Sequence, residues 1–283
     1  MVLGLICAFG AALGYGFSSI LEALAARRSQ TAQGLDPHLM MGLLRSWQYV
    51  TALVLNGLAF LLTVVALRTL PLFVVTSVAA SSLAVTALLG SFVLKMPLRL
   101  ADKIGVGVVL LGLILVASSA TEDQHVERHP YVLWGVLIAA GVLAALAVPL
   151  ARVKGAIGAG ILGGLSGLGM AVVSIASRLL PHPITVSSLL TSPATYAIII
   201  GGAFSLFTYP YALQRGSVSQ ATAPMVVLQT VVPALIGVFL LGDVTRHGFA
   251  WVAAAGFVLA VAGALSLSSH GSVTEEAAQA DTA

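Results

Sequence analysis

Charge is scarce in this sequence. Only 8% of its 283 residues are Asp, Glu, Lys or Arg, against roughly a quarter in ordinary soluble domains. So few charges cannot coat a water-soluble globule of this size. Cysteine is reduced to Cys7, which excludes an internal disulfide. No Cys/His cluster suggests a structural metal, and no cofactor is expected. The basic residues are scattered between apolar runs, which is not the pattern of a nucleic-acid binder. The apolar runs also lack paired acids, a Ser/His or Cys/His set and a metal motif, so an enzyme is not expected. Aromatics are few, at 7%. Trp47, Tyr49, Tyr131, Trp134 and Trp251 lie near the ends of apolar runs, where interfacial anchors belong.

What the sequence has in quantity is apolar length. Hydrophobic residues make up 59% of the chain. A bilayer core about 30 Å thick needs roughly 20 apolar residues as helix. Nine such spans are legible, at about 2–25, 47–67, 71–94, 103–120, 131–150, 156–178, 196–214, 219–241 and 248–268. The expected fold is an all-α, polytopic transmembrane helical bundle. Ala23-Leu24-Ala25 could serve as a signal-peptide cleavage site. The absence of a basic leader, the long apolar stretch and Arg27 and Arg28 after it favour an uncleaved helix.

The polar stretches divide the chain. Residues 26–46 form the first loop. There Asp36-Pro37 reads as a helix start, and Leu39, Met40, Met41, Leu43 and Leu44 as a short surface helix or an early start of the second span. Thr121 to Pro130 is the sharpest composition shift and reads as a linker. Residues 1–120 then form a first half of four spans and 131–268 a second half of five. The acidic tail, 269–283, is expected to be disordered.

Lys and Arg set the orientation. Arg27, Arg28, Arg45, Lys95, Arg99, Lys103, Arg152, Lys154 and Arg215 fall on one side, which is nine. Arg68, Arg128, Arg178 and Arg246 fall on the other, which is four. The nine-charge side should be cytoplasmic, with the N-terminus outside and the C-terminus inside.

The halves repeat. One copy begins ALRTLPLFVVTSVAASSLAVTALLGSFVLKMP at Ala66, the other ALQRGSVSQATAPMVVLQTVVPALIGVFLLGD at Ala212. Each is followed by a polar break and an apolar run with two glycines seven apart, Gly105/Gly112 and Gly256/Gly263. Seven residues is close to two helical turns, so each pair shares a face that admits another helix closely. Such faces are also candidate homodimer contacts. Gly160/Gly164 and Gly163/Gly167 mark a further packing face. Duplicated hydrophobic helices are the usual plan of a secondary transporter, as two inverted-topology repeats.

On these residues the chain resembles the drug/metabolite transporter superfamily. The resemblance covers nearly everything up to Ser268. Gly242-Asp243 stands where the family has Gly-Glu, whereas Lys95-Met96 lacks an acid in the first half. The four-plus-five layout and polar first loop look more like the NIPA-type magnesium transporter branch than the ten-helix EamA type. The resemblance implies an inverted-repeat bundle with a central site and leaves the substrate open.

Glu22 is the only acid inside a span, and buried carboxylates in membranes are functional candidates. It could couple transport to a proton or cation, or reach the interface near Arg27 and Arg28. Asn56 lies near the middle of the second span and could bond across helices or face a cavity. Ser77, Ser81 and Ser82 sit among alanines, which suggests close packing. Pro210 in the seventh span leaves the Leu206 carbonyl without its helical partner. Tyr209 beside it could line a path or anchor at the interface. Pro224 and Pro233 do the same to the Gln220 and Gln229 carbonyls in the eighth span. A loosened backbone beside a side-chain amide resembles the interrupted helices of transporter sites, which points to Gln229 as the substrate residue. The competing reading is a packing kink with Gln229 bonded to a neighbour. Asp243 is expected to cap the ninth helix or to belong to a Gly-acid turn. No histidine has ligand spacing with an intramembrane acid, so no metal site is assigned.

The leading expectation is a secondary transporter of a small polar or amphipathic solute. The alternatives are NIPA-type divalent-cation transport, a lipid translocase and a non-transporting accessory subunit. Magnesium usually takes one or two carboxylates, which Glu22 alone supplies poorly.

Overall fold

The computed structural model describes residues 2–28, 47–93, 100–120, 130–150, 152–181, 185–213, 215 and 218–280. Its elements are α1 (Val2–Arg28), α2 (Trp47–Thr69), α3 (Leu72–Ala80), α4 (Ser82–Val93) and α5 (Leu100–Ser119). The second half holds α6 (Pro130–Leu150), α7 (Gly155–Arg178), the short α8 (Val186–Thr191), α9 (Pro193–Leu213), α10 (Val218–Leu240) and α11 (Ala250–Ala280). Among the described residues the one β interaction is an isolated bridge between Ala120 and Thr245. Helices satisfy their own backbone, which lipid cannot do for them.

Among the described residues nine spans are long and apolar enough to cross a membrane, with α3 and α4 together making the third. The protein is thus an all-α, multi-pass membrane bundle, as the apolar runs indicate. Its outer surface carries large exposed apolar side chains such as Leu61, Ile114, Phe207, Phe239 and Val258. In a bilayer these face acyl chains. Trp47, Tyr131, Trp134 and Trp251 are exposed as well.

The glycine pairs pack against each other. A Cβ on Gly112 would stand 2.6 Å from the Gly256 carbonyl oxygen, and one on Gly263 would stand 3.0 Å from that of Gly105. Two runs of different halves, α5 and α11, therefore close antiparallel on four glycines. Those faces are filled within one chain, so a homodimer would need another surface. Gly163 and Gly167 of α7 likewise press onto the backbone of α10 at Ala221 and Met225. On α7 also packs α9, met at Gly169 and Gly201. On the other side of the bundle α1 packs on α2, with Gly14 against Ala59.

Three expectations change. The helices run unbroken through Pro210, Pro224 and Pro233. A proline removes one hydrogen bond, and the surrounding ladder and packing hold the rest of the turn. The interruption falls instead at Ser81, between α3 and α4. The third change is that α11 carries helical backbone to Ala280, past the Ser269 boundary expected to begin disorder. Ala, Glu and Gln in that stretch are good helix formers, and a preceding helix supplies the nucleus. The first-loop surface helix and the linker 121–129 lie outside the described residues.

Candidate functional site

Two polar assemblies lie inside this apolar bundle. The first sits at the end where α2 turns into α3. Pro71 has no N–H, so the Leu67 carbonyl four residues earlier loses its helical donor. The Leu70 carbonyl is also past the end of the helical ladder. The Arg178 guanidinium, at the end of α7, donates Nη1 to both carbonyls. Its Nη2 donates to Asp243 Oδ1 at 2.7 Å. The other carboxylate oxygen, Oδ2, accepts the Leu72 backbone N–H at 2.6 Å. Leu72 opens α3, and its N–H has no helical acceptor. A cation thus closes the C-terminus of one helix and an anion the N-terminus of the next, as both helix dipoles require.

Glycines make room for the carboxylate. Gly242 holds φ +72°, which turns the chain sharply after α10. A side chain on Gly237 would overlap Asp243 Oδ2. The ion pair is dry, with the Arg178 and Asp243 side chains 1% and 0% exposed. Burial pushes the Asp243 carboxyl above its ordinary value, while Arg178 and the Leu72 N–H pull it back. Nearby, Arg246 N donates to the Ser119 carbonyl, so the turns after α5 and α10 are joined at the same end. Asp243 therefore caps α3 rather than the helix that follows it. Arg178, assigned to a loop by charge counting, is buried. Its sequence signal was an arginine closing an apolar run with a single acid, Asp243, closing another.

The second assembly is a central cavity of about 230 Å³ below this hub. Helices of both halves build its wall. Tyr15 comes from α1, Phe60 and Thr63 from α2, Thr76 and Ala79 from α3, and Ser82 from α4. The second half contributes Met170, Ser174 and Ser177 of α7 and Gln229 and Thr230 of α10. None of the described residues that line it is charged. Ser82 and Gln229, which each stand eight residues before a Gly-x-Phe, at Gly90 and Gly237, both line it. The cavity also lies against the Ser81 interruption.

Two larger grooves, of about 580 and 420 Å³, flank α6. Their walls are almost entirely apolar side chains such as Ile199, Phe207, Val136 and Ile236. Size alone would favour them, but convergent polar groups mark a specific site, and these occur in the smaller cavity.

The sequence-derived candidates separate. Gln229 lines the cavity, and buried Pro233 one turn on withholds a helical donor from its carbonyl. Asn56 is partly buried on α2 and is not on the cavity wall. The Tyr209 hydroxyl is 2.7 Å from Thr222 Oγ1, tying α9 to α10 away from the cavity. Gln220 is exposed near the start of α10. Glu22 lies in α1, but its side chain is outside the described residues. Ser77 and Ser81 are buried and donate to the Phe73 and Val78 carbonyls at 2.6 Å each, as packing residues do. Ser82, grouped with them by sequence, faces the cavity. Tyr15, Thr63, Thr76, Ser174, Ser177 and Thr230 had no distinguishing signal, because isolated hydroxyls are common in apolar helices.

No protein-family model, curated protein or solved structure matches the chain.

Proposed function

We propose that this protein is a secondary transporter, moving a small polar or amphipathic solute across the cytoplasmic membrane by alternating access. The observation that carries the reading is the central cavity, whose polar wall is drawn from α1–α4 and from α7 and α10. A site shared by two groups of helices can change its access when they rock against each other. In this conformation the hub binds the α2–α3 turn, α7 and the turn after α10 together at one end. The duplicated sequence and the likeness to the drug/metabolite transporter superfamily support two inverted repeats and the same function. The charge asymmetry supports an N-terminus outside, which puts the hub at the outer end. Magnesium transport is not the reading adopted here. The described residues of the cavity wall include no carboxylate, and magnesium sites usually take one or two.

Reconstitution into liposomes tests the proposal. Preloaded unlabelled solute should drive counterflow of labelled solute, and Gln229→Leu should abolish it. Proteoliposomes that bind a solute saturably but never exchange it would overturn the transporter reading.

A further inference from the structure

The cavity's hydroxyls share a feature that specifies what it can hold. Thr63 Oγ1 donates to the Ala59 carbonyl at 2.8 Å, and Thr76 Oγ1 to the Leu72 carbonyl at 2.8 Å. Ser174 Oγ donates to the Met170 carbonyl at 3.1 Å, and Ser177 Oγ to the Val173 carbonyl at 2.7 Å. Thr230 Oγ1 does the same toward the Val226 carbonyl. A carbonyl can only accept, and a hydroxyl has one proton. All five protons are therefore committed to the backbone.

Five hydroxyls thus keep only lone pairs to offer a ligand. The Tyr15 and Ser82 hydroxyls and the Gln229 amide carry the other side-chain protons of the described wall. A ligand of acceptors alone would set lone pair against lone pair. An anion would also find no cation among the described residues of the wall to balance it. A ligand with several N–H donors on a positive centre finds acceptors on most sides. Uncharged oxygens can replace a cation's hydration shell, as carbonyls do in potassium-selective pores. The volume decides between an organic and an alkali cation. At about 30 Å³ per water, 230 Å³ holds seven or eight waters' worth of ligand, well beyond a bare alkali ion.

We infer that the central cavity binds a small organic ammonium through its N–H groups, using the oxygen lone pairs of Thr63, Thr76, Ser174, Ser177 and Thr230. This rests on the transporter reading for its role in transport, but not for the binding itself.

The test is calorimetry on the purified full-length protein at fixed ionic strength. The probes are propylammonium, tetramethylammonium, propanoate and potassium. Propylammonium should bind saturably. Tetramethylammonium carries the charge without N–H donors, and propanoate carries acceptors only. Each should bind at least about tenfold more weakly, the effect of losing one charge-assisted hydrogen bond. Thr76→Val keeps the shape and removes a lone pair. It should weaken propylammonium by about tenfold while leaving the melting temperature unchanged. Should Thr76→Val fold poorly, Ser174→Ala serves on the partly buried wall of α7. Equal binding of tetramethylammonium or propanoate, heat from potassium alone, or no binding of propylammonium would each overturn the inference. Propylammonium binding without counterflow would uphold it and sink the transporter reading. Counterflow of a neutral or anionic solute without propylammonium binding would do the reverse.

Discussion

The hub and the cavity lie one helical turn apart on α3 and α7, yet they treat polar groups in opposite ways. Leu72 belongs to the hub and Thr76 to the cavity, as do Arg178 and Ser174 on the facing helix. In the hub, full charges are excluded from water, and each meets a partner left over from a helix end. In the cavity no described lining side chain is charged, and space is left beside lone pairs. Buried charge is tolerated where its partners are fixed, so it suits a joint between helices. Neutral oxygens can be uncovered and covered at low cost, so they suit a site that loads and unloads.

The largest effect should come from breaking the hub. Asp243→Ala leaves the Arg178 guanidinium buried without its anion and should cost about 3–5 kcal/mol. Thermal or denaturant unfolding in detergent would show it. Adding Arg178→Met should recover part of that loss, because the stranded charge is gone. If the double variant is no more stable than Asp243→Ala alone, the ion pair is not what joins these helices.

A gentler disturbance is Gly237→Ala. Its methyl would press on Asp243 Oδ2 and on Leu72 Cβ, an overpacking that should cost about 1–3 kcal/mol. An unchanged melting temperature would mean that the carboxylate has room the structure does not show.

On the cavity side, stability and binding should separate. Gln229→Leu should lower stability by less than about 1 kcal/mol, as a volume-conserving change on a partly buried wall. Affinity for the transported solute should fall about tenfold or more with loss of the amide. Stability loss with intact affinity in the folded fraction would instead make Gln229 a helix-packing residue.

The smallest effect is expected at Ser77. It is fully buried on α3 but turned from the cavity, and its hydroxyl bonds the Phe73 carbonyl of its own helix. Such back-bonding contributes little, so Ser77→Ala should change stability by about 0.5 kcal/mol or less. Binding should not change, and a marked loss of affinity would extend the site beyond the wall described here.

Much of the architecture was legible because lipid imposes a coarse, local rule. About twenty apolar residues must stand together for each crossing, and that can be read without knowing any contact. The spacing of Gly105/Gly112 and Gly256/Gly263 marked faces for close approach for the same reason, since helical periodicity is local. Gln229 stood out because an amide and a proline one turn apart are rare in an apolar run. The prolines misled about helix breaks, because one lost bond is minor against a packed neighbour. The hydroxyls were illegible one by one, because a serine in a helix looks the same whether it faces a core or a cavity.

By itself, the sequence determined the nine apolar runs that form membrane-length helices among the described residues, because backbone in hydrocarbon has few other ways to satisfy its hydrogen bonds. It also determined where helices can touch closely, since small side chains keep their spacing along one face. Only the tertiary structure decided that Arg178 meets Asp243 across sixty-five positions of chain. It alone brought Ser82 and Gln229 to one cavity and turned five hydroxyl protons away from it. Those outcomes depend on which helices lie side by side, and that is fixed by packing among all of them rather than by any one stretch.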